Sequence, residues 1–185
     1  DSGMSRGLGD VYKRQHENGV LWANQFDNVA NQMSHYNSTG PEIWEQTDGK
    51  VDAFTCAVGT GGTLSGTGLF LKEKNKKIKI ALSDPFGSGL YNYYQNGEMK
   101  AEGNSITEGI GQGRITKNLE NCPLDLSFRI SDNDALTIIF DLLKDEGLFL
   151  GGSSGINVAG AVKLAKELGP GPVSYTHLTL PTKSG

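Results

Sequence analysis

Between Val51 and Leu71 the chain reads VDAFTCAVGTGGTLSGTGLFL: an apolar run, a knot of glycines and a helical segment in direct succession. Val51, Ala53, Phe54, Cys56, Ala57 and Val58 suit a strand buried on both faces, as in a parallel sheet. Gly59-Thr60-Gly61-Gly62-Thr63 ends that run, and Leu64, Leu69, Phe70 and Leu71 give the next segment a helical apolar face. Strand, glycine turn and helix together point backbone N–H groups and the positive end of a helix dipole at an anion. Glycine permits close approach, and Thr60 and Thr63 add hydroxyls. The stretch reads as a phosphate cup, with a ligand-free glycine turn as the alternative.

The two commonest phosphate loops do not fit. A dinucleotide fingerprint starting at Gly59 needs glycine where Leu64 stands, and no Gly-Lys-Ser/Thr follows for a nucleoside-triphosphate loop.

The 185 residues amount to about one domain, but the ends read differently from the middle. Asp10-Val11-Tyr12-Lys13-Arg14-Gln15 can be encoded as GAT GTG TAT AAG AGA CAG. The reverse complement of that string, one frame over, encodes Val-Ser-Tyr-Thr-His-Leu, the sequence from Val173 to Leu178. The string resembles the end sequence of transposase-based DNA libraries. Residues 1–15 and 173–185 are therefore expected to be translated adaptor and to dangle as irregular tails. Without them 13 basic and 19 acidic residues are left, a net charge of −6. An acidic domain of this kind is not built to wrap nucleic acid or an anionic membrane surface. No apolar run approaches the length of a membrane-spanning helix. Cys56 in the apolar run and Cys122 before Pro123 are expected to be free thiols in a reducing, cytoplasmic setting, Cys56 packing the core rather than reacting. No metal-ligating pattern is present in the sequence.

In chain order, Val20-Leu21-Trp22-Ala23 is expected to end a strand before the turn Asn24-Gln25-Phe26-Asp27-Asn28. Thr39-Gly40-Pro41-Glu42 starts a helix, with proline at its first position. Beyond the cup, Ile78–Leu82 is a second strand, so strand, helix and strand form a parallel crossover unit. Leu90, Tyr91, Tyr93 and Tyr94 suit a packing helix. The segment 98–118, with Glu108-Gly109-Ile110-Gly111-Gln112-Gly113-Arg114, is either a working loop or a disordered excursion. Leu124–Ile130 is a third strand, and Ser131 with Asp134 caps a helix that Gly147 ends. Leu148–Leu150 is expected as a fourth strand running into Gly151-Gly152-Ser153-Ser154-Gly155 and a last helix. Both glycine junctions would lie at the carboxyl edge of one parallel sheet, where α/β folds bind ligands.

Five motifs in order carry a resemblance: Asn24-Gln25-Phe26, Thr39-Gly40-Pro41-Glu42-Ile43-Trp44, Val58-Gly59-Thr60-Gly61-Gly62-Thr63, Glu108-Gly109-Ile110-Gly111 and Gly151-Gly152-Ser153-Ser154-Gly155. Over residues 16–172 the chain resembles the cysteine synthase (O-acetylserine sulfhydrylase) family, and the related cystathionine β-synthase core shares most of these motifs. The resemblance implies an incomplete three-layer αβα fold of the fold-type-II, tryptophan synthase β-like class, with pyridoxal 5'-phosphate as cofactor. It implies that Gly59, Thr60, Gly61, Gly62 and Thr63 hold the cofactor phosphate and that Ser153 bonds the pyridine nitrogen. Gln25 would bind the amino-acid carboxylate, Gly109 and Gly111 would face substrate, and His35 matches a family histidine. O-acetylserine and sulfide would be the substrates, a homodimer the assembly and serine acetyltransferase a partner. The family's Schiff-base lysine lies upstream of these motifs, and no lysine here stands in a matching context. Residues 16–172 are accordingly expected to be the larger-domain portion of an enzyme, inactive alone. A phosphate-binding α/β module without catalysis is the alternative from another class, and a lysine upstream of the first motif would decide against it.

Overall fold

The computed structural model describes residues 22–176. Helices α1 (Ala30–Asn37) and α2 (Thr39–Gln46) precede strand β1 (Ala53–Cys56), helix α3 (Gly62–Lys74) and strand β2 (Lys79–Pro85). Helix α4 (Leu90–Asn96), strand β3 (Leu126–Ile130), helices α5 (Asp132–Glu146) and α6 (Gly152–Leu168), and strand β4 (Ser174–Thr176) complete the order. The sheet runs β3-β2-β1-β4, and every pair is parallel.

The alternation of side chains across this sheet decides how the layers pack. Phe54 and Cys56 of β1 and Ile80 and Leu82 of β2 point to one face, where they meet Leu64 and Leu71 of α3 in the main core. Helices α1 and α2 pack outside α3. The opposite face carries small residues, Ala53 and Thr55 beside Ala81 and Ser83, all fully buried. Helix α6 lies there, with Leu164 on Ala53 and Ala81, and α5 packs outside it. A Cβ on Gly160 would overlap the Ser83 hydroxyl, so the helix sits as close to the sheet as a backbone allows. The result is the expected three-layer αβα arrangement.

Local signals set several ends. Ser131 Oγ accepts from Asp134 N at 3.1 Å and starts α5, as its sequence suggested. Strand β1 leaves the ladder after Cys56 because Ala57 N donates instead to Asn157 Oδ1 at 2.6 Å, on α6. The strand expected at 148–150 does not form. Gly147 takes a left-handed conformation at φ 70°, and Leu148 N donates back to Leu142 O at 3.1 Å. That cap spends the backbone group a strand would need, and Phe149 is left 69% exposed. Trp22 and Ala23 are not in a strand, while residues 20 and 21 lie outside the described residues.

The fourth strand is instead β4, inside the segment 173–185 expected to dangle. Ser174, Tyr175 and Thr176 pair with Ala53, Phe54 and Thr55. Tyr175 stacks on Phe54 with ring centroids 6.3 Å apart, and Thr176 Oγ1 donates to Thr55 O at 2.8 Å. The physical reason is the open edge of β1: its amides and carbonyls need partners, and a β-prone Ser-Tyr-Thr supplies them. Residues 1–15 and 177–185 fall outside the described residues.

The crossing of α1 and α3 gives a direct test of close packing. A Cβ on Gly66 would run into the backbone carbonyl of Gln32, whereas one on Gly113 would meet nothing within 4 Å. Gly66→Ala should lower unfolding free energy by about 1–3 kcal/mol in urea titration, and Gly113→Ala should stay within about 0.5 kcal/mol of the parent.

Candidate active site

The glycine turn expected to act as a phosphate cup forms where β1 hands over to α3. Gly61 adopts φ +90°, a conformation disfavoured for any residue with a side chain, and caps the 13-residue helix. This turn aims the first amides of α3 out of the sheet edge, since a helix provides no carbonyl one turn earlier. Thr60 and Thr63 flank it, both half-buried. Thr116 Oγ1 donates to Thr60 O at 2.6 Å and holds the loop from below.

The loop after α4 reaches the cup from the other side. Gly111 N donates to Val58 O at 2.8 Å, and a Cβ on Gly59 would stand 2.8 Å from Gly109 O. Further along the same loop, Thr107 Cγ2 lies 3.2 Å from where a Cβ on Gly152 would sit, at the start of α6. The loop therefore spans the two glycine junctions. It is anchored at both ends: Ser105 Oγ and Ile106 N donate to Asp132 at 2.6 and 2.9 Å, and Ser88 Oγ accepts from Gln112 N at 3.0 Å. Under it a polar cavity of about 240 Å³ is lined by Phe86, Ser88, Ser105, Thr107 and Gly111. The 98–118 segment is thus an ordered loop held by named bonds, not a disordered excursion.

Of the residues the sequence singled out, the structure brings Gly59 to Thr63, Gly109, Gly111 and the Gly152-Ser153 junction to one edge of the sheet. Ser153 is half-buried in the first turn of α6 and has an interacting partner. Gln25 is placed by its backbone: its carbonyl accepts from Asn31 Nδ2 at 2.8 Å and Asn118 Nδ2 at 2.9 Å, while the residue itself is exposed. His35 Nε2 lies 3.1 Å from Thr63 Oγ1 and its Nδ1 2.9 Å from Thr39 Oγ1, so this histidine supports the cup from behind.

Sequence reasoning missed the polar frame around these residues. Asp27 receives a bidentate contact from Arg114, both bonds 2.9 Å, and the Arg114 guanidinium holds its carboxyl below the usual range. Buried Asn118 accepts from Gln32 N at 3.1 Å and donates to Phe26 O at 2.8 Å. These pairs are 86 to 92 residues apart in the chain, and no local pattern marks them. The two thiols take no part: burial raises Cys56 above its ordinary range and pushes Cys122 up to about 12. Among the described residues no group of three or more His, Cys, Asp or Glu side chains is placed to hold a metal ion.

The glycine cup fits a phosphate on this structure's own terms. Its glycines pack where a Cβ would strike Gly109 O, Leu119 or Asn31, so the turn's backbone closes tightly before the helix N-terminus, and Thr60 has an O–H hydrogen that no described residue accepts.

Asp84, fully buried at the end of β2, carries a pH dependence. Its Oδ2 accepts from Tyr91 N at 2.8 Å, its Oδ1 has no partner, and burial pushes its pKa up to about 6. A carboxyl raised in the folded state stabilises fully below its unfolded value near 3.8 and loses that contribution as pH rises through about 6. Relative to Asp84→Asn, the parent should therefore lose up to about 3 kcal/mol of stability between pH 4 and 7, measured by urea unfolding at each pH. A parallel pH profile for both proteins would contradict this.

The comparisons agree with this geometry. The family described as "Pyridoxal-phosphate dependent enzyme" matches residues 6–178. Cysteine synthase 1 of Neurospora crassa is 51% identical over 164 residues, covering 86% of this chain and 44% of that protein. Cysteine synthase of Dictyostelium discoideum is 46% identical over 169 residues, covering 86% and 45%. Among solved structures, cysteine synthase from Entamoeba histolytica superposes with a TM-score of 0.80 at 33% identity, covering 94% of this chain and 50% of that one. The O-acetylserine-dependent cystathionine β-synthase of Helicobacter pylori gives 0.73 at 33% identity, covering 82% and 47%. The chain thus spans less than half the length of these curated relatives. A phosphate-binding module without catalysis is set aside, for the chain belongs to the pyridoxal-phosphate-dependent enzyme family.

Proposed function

We propose that the protein is a cysteine synthase, which replaces the acetate of O-acetyl-L-serine by sulfide to give L-cysteine. The observation that supports it best is the meeting of the Gly59–Thr63 cup, the Gly109–Gly111 loop and the Gly152-Ser153 junction at one sheet edge. Relatives called cysteine synthase, identical at half of the aligned positions, support the choice of reaction.

In this reading the amides of α3 and the hydroxyls of Thr60 and Thr63 hold the phosphate of pyridoxal 5'-phosphate. Ser153 sits at the pyridine nitrogen. The cofactor, when bound, supplies electron withdrawal from the amino-acid α-carbon. Ser153 moderates that withdrawal, because a neutral hydroxyl does not keep the ring nitrogen protonated as a carboxylate would. Gln25 takes the amino-acid carboxylate, and Gly109 and Gly111 let the substrate approach the loop backbone. The polar cavity beside Ser88 and Thr107 suits a small polar acceptor entering next to the loop. The proton-transferring, cofactor-anchoring lysine is assigned to the part of the protein upstream of residue 16.

The Helicobacter pylori neighbour supports a second reading, in which O-acetylserine is again the donor but the acceptor is a larger thiol. Steady-state rates of the intact protein with sulfide and with homocysteine separate the two. A protein that stays colourless after reconstitution with the cofactor would overturn both. We assign the protein a homodimeric assembly and a cytoplasmic location, and a serine acetyltransferase partner as the resemblance implies. The exposed Phe140 and Phe149 support an assembly, and the free thiols support a reducing compartment, although one relative is called mitochondrial. No helix among the described residues is long and apolar enough to cross a membrane.

Two substitutions in the intact protein should act differently. Thr60→Val removes a charge-assisted hydrogen bond and should weaken cofactor affinity by about 1–3 kcal/mol. Ser153→Ala should leave affinity nearer the parent's and change the rate of acetate release, followed by rapid mixing. Equal loss of cofactor in both variants would contradict the assigned roles.

A further inference from the structure

The hydrogen-bond capacity of Thr60 gives Asn31 a part in the site. Asn31 lies on α1 with its amide flat against the first turn of α3, where a Cβ on Gly62 would collide with its Oδ1. Its Nδ2 is 2.8 Å from Gln25 O and 2.9 Å from Thr60 Oγ1. A backbone carbonyl only accepts, so the contact with Gln25 settles which end of the amide is NH₂. The second hydrogen of that group then goes to Thr60. Gly62 N donates to the same hydroxyl oxygen at 3.4 Å. A hydroxyl has two lone pairs and one hydrogen, and here two donors engage the lone pairs. Its hydrogen must be donated elsewhere, and no described residue accepts it. Thr116 Oγ1 on Thr60 O keeps the backbone from turning the side chain away.

We propose that Asn31 is a positioning residue that makes the Thr60 hydroxyl an obligate donor to a bound phosphate and ties the cup to the Gln25 turn. This rests on reading Gly59–Thr63 as a phosphate cup. Because the Asn31 amide bridges Gln25 and Thr60, the phosphate end and the substrate-carboxylate end of the site are spaced by one planar group. In the parent protein Thr60 offers its hydrogen in a fixed direction. Without Asn31 the hydroxyl turns freely among its staggered positions, and part of its contribution is lost to that freedom.

The test is a double-mutant cycle read by calorimetry on the intact protein, with pyridoxine 5'-phosphate and pyridoxine as probes. Neither probe has an aldehyde, so neither forms an imine with lysine, and the ratio of their affinities reads the phosphate contact alone. Asn31→Ala should lower that ratio by about 3- to 10-fold, with pyridoxine affinity unchanged. In a Thr60→Val background the same change should have no further effect on the ratio. Thr60→Ser, which restores the hydroxyl, should restore sensitivity to Asn31. If Asn31→Ala does not fold, Asn31→Ser, whose short hydroxyl does not span both partners, takes its place in the cycle. An equal loss from Asn31→Ala in the Thr60→Val background, or no loss in the parent, would overturn the positioning role. A parent protein that binds both probes equally would overturn the phosphate cup itself, which is a different failure.

Discussion

The close approach of α6 to the sheet is the constraint on which the rest depends. Ala53, Thr55, Ala81 and Ser83 present a flat face, and Gly160 lets the helix backbone rest on Ser83. Buried from water, Thr55 Oγ1 donates to Ala81 O at 2.9 Å and accepts from Ser83 Oγ at 2.8 Å. Lower on the same helix, Gly155 sits under the Ala135 carbonyl, 2.6 Å from where its Cβ would be, and locks α5 to α6. With α6 fixed at this height, Asn157 meets the end of β1 and stops the strand. The Gly152-Ser153 turn is thereby delivered to the same edge as the Gly59–Thr63 cup. A larger residue at 160 would lift the helix and separate the two halves of the site.

The opposite face is governed by large side chains, and its job is rigidity. Phe54, Leu64, Leu71, Ile80 and Leu82 are buried to within 1% of full exclusion. Their packing fixes α3, whose N-terminus is one wall of the cup. Polar bonds then position what the apolar core cannot. Gln32, buried between α1 and α3, donates to Ser65 Oγ at 2.6 Å and to Asn118 O at 3.0 Å. Such bonds contribute little net stability when formed, but each would cost about 1–3 kcal/mol if a partner were lost in the interior. They make the arrangement specific rather than merely stable.

The long 98–118 segment shows how a loop without regular structure becomes precise. Its aromatic neighbour, α4, supports it through Arg129, which stacks over Tyr91 at 4.5 Å and donates to Glu102 and Asn92 at 2.6 and 2.7 Å. Asp132 and Ser88 then fix the loop at Ser105 and at Gln112. A glycine-rich loop pays an entropic cost to be ordered, and these charge-assisted bonds offset it.

Much of this was legible in the residues themselves. The apolar run 51–58 named a buried parallel strand, the glycines after it named the cup, and Ser131 with Gly147 bounded α5, because each signal is local. Asn31 was invisible, for its value lies in one amide reaching both Gln25 and Thr60, 29 residues away. The triplet Leu148–Leu150 misled because apolar composition alone does not say whether a partner strand exists, and the Gly147 cap had already engaged the backbone of Leu148. The segment at Ser174–Thr176 misled in the opposite direction: its coding oddity says nothing about the open edge of β1, which takes any β-prone strand that reaches it. Sequence by itself determined most of the elements, the buried strand at the head of the cup and the glycine turn that follows it. Tertiary structure decided the strand order, the small-residue seat of α6 and the hydrogen-bond sense of Thr60, because these depend on groups far apart in the chain coming within a few ångströms.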